Sequence, residues 1–193
     1  MKKLLITAFD PFGGSNINPS QLAVEALPNT ASGFLLKKLV VPTVFGAAAD
    51  QILAAIDAFE PDVVLCIGVA EGRDAVTPER IAVNIRDARI PDNAGKQPLG
   101  EFVMADGPAA YFSTVPVCAM AAAIEARGVP SRVSNSAGTF VCNDVMYSVL
   151  HRCAGTSMRA GFIHVPALPG SDKPSLTLEQ IVEALLCAIE ICV

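Results

Sequence analysis

The chain has no tryptophan, only two tyrosines and two histidines, and just 17% of its 193 residues are charged. A wide platform for stacking nucleic-acid bases needs aromatic faces that this composition does not supply. A basic binding face is missing as well, since 14 Lys+Arg stand against 19 Asp+Glu for a net charge of −5. No apolar run reaches the ~18 residues that a membrane-spanning helix requires. The six cysteines, Cys66, Cys118, Cys142, Cys153, Cys187 and Cys192, include no CxxC pair. With two histidines besides, neither a zinc site nor a Cys/His metal centre is expected. Partners of the nucleic-acid or membrane class are therefore not expected, nor is a metal.

What is there is apolar: 52% of the residues are hydrophobic, with no long charge run and no low-complexity block, so the chain is expected to fold. Its length fits one domain, residues 1–193, with enough chain for a large core. Lys2 and Lys3 ahead of Leu4–Phe9 imitate the start of a signal peptide. Asp10, Pro11 and a glycine pair follow with no small-residue cleavage site, so the run reads as a first buried strand. In such a chain the thiols are expected to be reduced, mostly core residues, and the location cytoplasmic.

Strand-like and helix-like segments alternate. Leu4–Phe9, Phe34–Val41, Val63–Ile67 and Phe162–Val165 read as buried strands, Ile81–Ile85 as a short strand and Arg132–Ser134 as the start of another. Pro19–Leu27 reads as a helix with Asn18 as N-cap. Ile52, Ile56 and Phe59 mark one face of a second, Pro116–Arg127 a third and Val141–Cys153 a fourth. The last opens on a capping box of Thr177 and Gln180. Asp92–Gly95 is turn chemistry. The pattern predicts an α/β fold: a single three-layer α/β/α domain around a twisted, mostly parallel mixed sheet. Sites in such folds form at the carboxyl ends of strands, here just after Phe9, Ile67, Ser134 and Val165.

Three features there can carry chemistry. Cys142 opens a helix behind the turn Asn135–Gly138, where the positive end of the helix favours a thiolate and free N–H groups can hold an oxyanion. His164 ends a strand; His151 lies nine residues beyond Cys142, which at ~100° per residue puts it on the opposite side of the helix. A Cys–His pair needs an orienting group, for which a carboxylate is the natural choice. Spacing alone leaves Glu71, Asp74, Glu79 and Asp87 open, and Glu79 equally reads as a solvated charge paired with Arg80. Finally, Phe9 and Phe12 in a Gly-rich loop offer an apolar wall for a flat, uncharged ligand; with no Gly-Lys-Ser/Thr following, it is not a phosphate loop.

Four segments taken together, Phe9–Ser20, Pro78–Asn93, Ser134–Asn143 and Gly161–Pro166, resemble the pyroglutamyl peptidase I (pyrrolidone-carboxylate peptidase) family in order and spacing over nearly the whole chain. The resemblance implies a cytosolic cysteine peptidase acting on peptides with N-terminal pyroglutamate, without metal or organic cofactor, as a homo-oligomer, tetramer or dimer. It implies Cys142 as nucleophile, His164 as base and then acid, and Glu79 as the carboxylate that orients His164. Arg89 is implied near the reacting carbonyl, and Phe9, Phe12, Asn18, Phe140 and Val141 around the lactam pocket. Val69 stands where many members carry a glutamine that helps to hold the lactam, a departure expected to affect affinity or specificity. Two other readings stay open on the residues alone: a nucleoside-phosphorylase-like glycosyl transferase, and a binding module that keeps the pocket without turnover.

Overall fold

The computed structural model describes residues 1–170 and 172–192. Strand β1 (Lys2–Phe9) leads into helix α1 (Pro19–Ala26), then come β2 (Thr30–Ala31), β3 (Phe34–Val41), α2 (Ala47–Phe59) and β4 (Val63–Val69). The middle carries β5 (Thr77–Glu79), β6 (Ile81–Val83) and β7 (Ala110–Phe112). The chain continues through α3 (Val117–Ala126), α4 (Val141–Cys153), β8 (Arg159–Val165) and α5 (Leu178–Glu190).

Six strands form one mixed sheet in the order β2-β3-β1-β4-β8-β5, with the inner four parallel and the two edge strands antiparallel. The period of two along each strand divides the core. Leu4, Ile6 and Ala8 of β1 and Val63, Leu65 and Ile67 of β4 face one side, with residues of α1, α3 and α5. Leu5, Phe9, Val64 and Cys66 face the other, with α2 and α4. Two helical layers thus sandwich the sheet, the expected three-layer α/β/α arrangement.

The helix ends follow the sequence cues. Asn18 caps α1 by accepting from the Ser20 amide, and Thr177 and Gln180 form the reciprocal capping box of α5. Two expectations need adjusting, and one strand was not expected at all. The strand expected over Ile81–Ile85 stops at Val83, because the Ile85 amide turns back to the Val83 carbonyl at 2.9 Å. Arg132–Ser134 is not a strand; it adds one isolated bridge, Ser134 to Glu79, and Ser131 just before it adds another, to Val76. The edge strand β5 went unread, since three residues containing a proline give no periodic signal; proline is tolerated there because an edge strand leaves N–H positions unpaired.

The chain runs from β1 outward to β3 and then returns to β4 on the other side of β1. The crevice between the carboxyl ends of β1 and β4 is the topological switch point where α/β sheets bind ligands.

Candidate active site

Strand β8 sets the site. In the parallel register His164 lies beside Gly68 of β4, and in the antiparallel register it lies beside Thr77 of β5. Two residues further along β5, Glu79 is the diagonal neighbour of His164 on the same face. Its Oε1 accepts from His164 Nδ1 at 2.7 Å, and the pair is buried, with Glu79 0% and His164 4% exposed. A carboxylate only accepts, so Nδ1 carries the proton and Nε2 is free to take one.

Cys142 arrives from the other direction. Gly138 takes a left-handed conformation (φ +77°), the turn that sends the chain into α4, and Phe140 is the N-cap. Thr139 and Asp87 fasten this turn to the Arg89 segment: the Thr139 hydroxyl donates to the Asp87 carbonyl at 2.7 Å and the Asp87 amide to the Thr139 carbonyl at 3.0 Å. Among the described residues no side chain caps the first turn of α4, so its leading N–H groups remain available to an oxyanion. The Cys142 sulfur lies directly over Gly68; a Cβ placed on that glycine would be 2.9 Å from Sγ and 2.8 Å from the Phe162 ring. Thiol, imidazole and carboxylate therefore share one face at neighbouring strand ends. His151 is elsewhere, bonded to the Tyr111 hydroxyl at 2.8 Å.

The electrostatics revise one expectation. Burial pushes the Cys142 thiol up to about 12, helped by the negative charge of Glu79 and by Cys66; Arg73 and the Cys142 amide pull the other way without winning. Desolvation exceeds the helix-end effect at this position, so the resting sulfur is a thiol, not the thiolate expected from the helix N-terminus. Burial also pulls His164 below the ordinary histidine range, against the raising effect of Glu79, and Arg73 adds to the lowering. For Glu79, burial opposes ionisation, yet the His164 and Arg73 contacts hold its pKa below the usual carboxylate value. The resting ensemble is neutral thiol, neutral imidazole, carboxylate anion and arginine cation.

Arg73 was not singled out by the sequence reading. The only signal was an arginine beside a glycine just past the carboxyl end of a central strand. Glu79, which could have been a solvated partner of Arg80, is instead buried against His164 and Arg73.

Beside this set, a cleft of about 690 Å³ opens at the switch point. Phe12, Asn18, Val69 and Arg89 line it, with Glu71 and Lys173, which are ion-paired to each other, at its rim. Phe140 stands next to the Phe12 ring at 5.1 Å and the Phe45 ring at 5.2 Å, an apolar wall. Phe9 and Val141 lie deeper, in the core; Phe9 packs on Phe162 at 6.3 Å. Among the described residues, no three His, Cys, Asp or Glu side chains are grouped to hold a metal ion, and no helix is long and apolar enough to cross a membrane.

Residues 2–193 match the family described as Pyroglutamyl peptidase. The pyrrolidone-carboxylate peptidase of Levilactobacillus brevis is 52% identical, over 97% of this chain and 95% of its own length. The chain belongs to the pyroglutamyl peptidase family. The pyrrolidone-carboxylate peptidase of Bacillus licheniformis is 50% identical over 97% of this chain and 90% of its own length. The crystal structure of Bacillus amyloliquefaciens pyroglutamyl peptidase I superposes with a TM-score of 0.96 at 41% identity, covering 100% of this chain and 97% of that one. Membership makes the chain a cysteine peptidase, a hydrolase that removes N-terminal pyroglutamate, and displaces the glycosyl-transferase reading.

Proposed function

We propose that Cys142, His164 and Glu79 are the catalytic triad of a single-domain pyroglutamyl peptidase, residues 1–193. The observation that carries this reading is the stacking of the Cys142 sulfur over Gly68, the β4 neighbour of a His164 held by Glu79 at 2.7 Å.

His164 Nε2 takes the thiol proton as Sγ attacks the carbonyl carbon of the pyroglutamyl amide. The new oxyanion meets the uncapped N–H groups of the first turn of α4, with Arg89 nearby at the cleft wall. The imidazolium then gives its proton to the leaving amine, and the shortened peptide departs from a thioester at Cys142. Water, deprotonated by His164, attacks the thioester, and its proton passes to Sγ as pyroglutamate leaves. Glu79 keeps Nδ1 protonated throughout and stabilises the imidazolium. Pyroglutamate is flat and neutral and lacks a free α-amine. A cleft with apolar walls from Phe12, Phe140 and Val69 and hydrogen-bonding capacity from Asn18 suits it, with Phe9 and Val141 as the packing behind those walls. Val69 in place of glutamine leaves lactam recognition to backbone groups there, which bears on affinity and not on the triad. A cytoplasmic homo-oligomer, dimer or tetramer, belongs to the same reading; the exposed Leu99, Phe102 and Phe112 offer apolar surface for it.

The test is release of a chromogenic amine from a pyroglutamyl amide. Release should be abolished by a thiol alkylator, and Cys142→Ser should lower kcat/KM by roughly 10⁴-fold or more with the fold intact. Substantial release by Cys142→Ser would move the nucleophile elsewhere. Tight binding of the reporter without any release by the reduced, folded protein would favour a binding module.

A further inference from the structure

Arg73 sits where three pieces of the site meet. The turn after β4, closed by the Arg73 amide donating to the Ala70 carbonyl at 2.9 Å, sends its side chain back over the sheet end. Its Nη1 donates to Glu79 Oε1 at 2.5 Å, the same oxygen that accepts from His164 Nδ1, and also contacts the Thr77 hydroxyl. Its Nη2 donates to the Ser136 carbonyl at 3.0 Å, in the loop that leads to Cys142. One planar fork thus joins the strand carrying Glu79 to the loop that delivers the sulfur, while its own loop continues the strand containing Gly68.

We infer that Arg73 is a positioning residue of the catalytic triad, holding Glu79 as a buried anion and tying the Cys142 loop to the His164–Glu79 pair. The inference rests on the triad reading above. A carboxylate with 0% exposure is unfavourable unless a cation compensates it. His164 is neutral at rest, so Arg73 is the cation that does so. During turnover the imidazolium forms beside a fixed guanidinium. Arg73 thereby weakens the hold of His164 on its proton and favours delivery to the leaving amine. The charged or titratable groups facing His164 are Glu79 from β5 and Arg73 from the loop after β4; Cys142 approaches from α4. A lysine cannot replace the fork, because an ammonium is a compact point charge without the planar pair of donors.

The experiment uses the full chain as Arg73→Gln and Arg73→Lys. It measures kcat and KM on the pyroglutamyl amide across pH, with thermal unfolding as a control for folding. For Arg73→Gln, kcat should fall roughly ten- to a hundredfold with KM little changed, a share of the 10²–10⁴ that a positioned acid–base group contributes. The acidic limb of its profile should move to higher pH, since the imidazolium is no longer opposed by a cation. Arg73→Lys should restore the acidic limb but not the full kcat. It also carries the test through kcat should Arg73→Gln not fold. An unchanged rate and profile in a folded Arg73→Gln overturns the inference, as does a rate loss with an unmoved limb, which a merely structural residue would give. Cys142→Ser in parallel separates the two claims. If it is inactive while Arg73→Gln behaves as the parent, only the role of Arg73 falls; if it stays active, the triad falls first.

Discussion

Gly68→Ala tests the central distance of the site. The added Cβ would meet the Phe162 ring at 2.8 and 3.0 Å and the Cys142 sulfur at 2.9 Å. Ordinary carbon contacts begin near ~3.5 Å, so the neighbours must yield by about 0.7 Å. The ring cannot yield freely. Phe162 is fully buried, with Phe9 at 6.3 Å on one side and the His164 ring at 4.8 Å on the other. The strain therefore passes to the sulfur and to the base. Overpacking of this kind costs about 1–3 kcal/mol of stability, and a displacement approaching 1 Å at a reacting atom costs up to about 10²-fold in rate. Urea unfolding should report the first and kcat on a pyroglutamyl amide the second. KM should change less than kcat, because the cleft is lined by other residues. A variant with parental kcat and parental stability would refute the placement of the Cys142 sulfur over Gly68, and with it the geometry of the triad.

Two further outcomes follow from burial and capping. Burial holds Cys66 and Cys142 up to about 12, and Cys153 and Cys192 up to about 11, from an ordinary 9.0. These groups bind protons more tightly when folded, so stability should be intact below pH ~9 and decline between ~9 and ~12. On the acid side His164 and Glu79 are both lowered on folding, so stability should decline as pH falls below their ordinary 6.5 and 4.5. Urea midpoints that stay flat from neutral pH to pH ~10.5 would contradict the alkaline limb. Asn18→Ala removes a cap that accepts from the Ser20 amide at 2.9 Å and hydroxyl at 2.7 Å, and a donor to the Asp10 carbonyl at 2.9 Å. It should cost about 1–3 kcal/mol and raise KM, since Asn18 also lines the cleft. Asn18→Asp, which keeps the cap and loses the donor, should recover most of the stability; a silent Asn18→Ala would remove the residue from both roles.

The central strands were legible because they are continuous apolar runs, and the helix ends because Asn18, Thr177 and Gln180 are local signals whose partners lie within three residues. Cys142 and His164 were legible as residues at strand and helix ends. Their meeting was not, because it depends on the register that sets Gly68 beside His164, and register is a property of pairing between strands about a hundred residues apart in sequence. By spacing alone Glu79 was one carboxylate among four; the family resemblance singled it out, and β5 puts it diagonal to His164. Arg73 gave even less, since Thr77 and Glu79 on β5 and Ser136 in the loop before α4 converge on it only once the sheet and that loop are in place. The protonation state of Cys142 was misjudged for a related reason. The helix end is visible in the sequence, while the covering of the sulfur against Gly68 of the sheet is a tertiary fact.

That covering also explains how a neutral thiol suits this chemistry. In the resting site one anion and one cation, Glu79 and Arg73, are already paired, so no further buried charge has to be maintained between turnovers. In the proposed mechanism, proton transfer from Cys142 to His164 creates a second ion pair only when attack on the carbonyl makes use of it. The same low exposure that raises the thiol then strengthens the attraction of the imidazolium for Glu79 and of the oxyanion for the N–H groups of α4. Desolvation therefore disfavours the thiolate before substrate arrives and favours the transition state afterwards. A substrate whose first residue is flat and uncharged can enter such a site without bringing a charge that would have to be stripped of water.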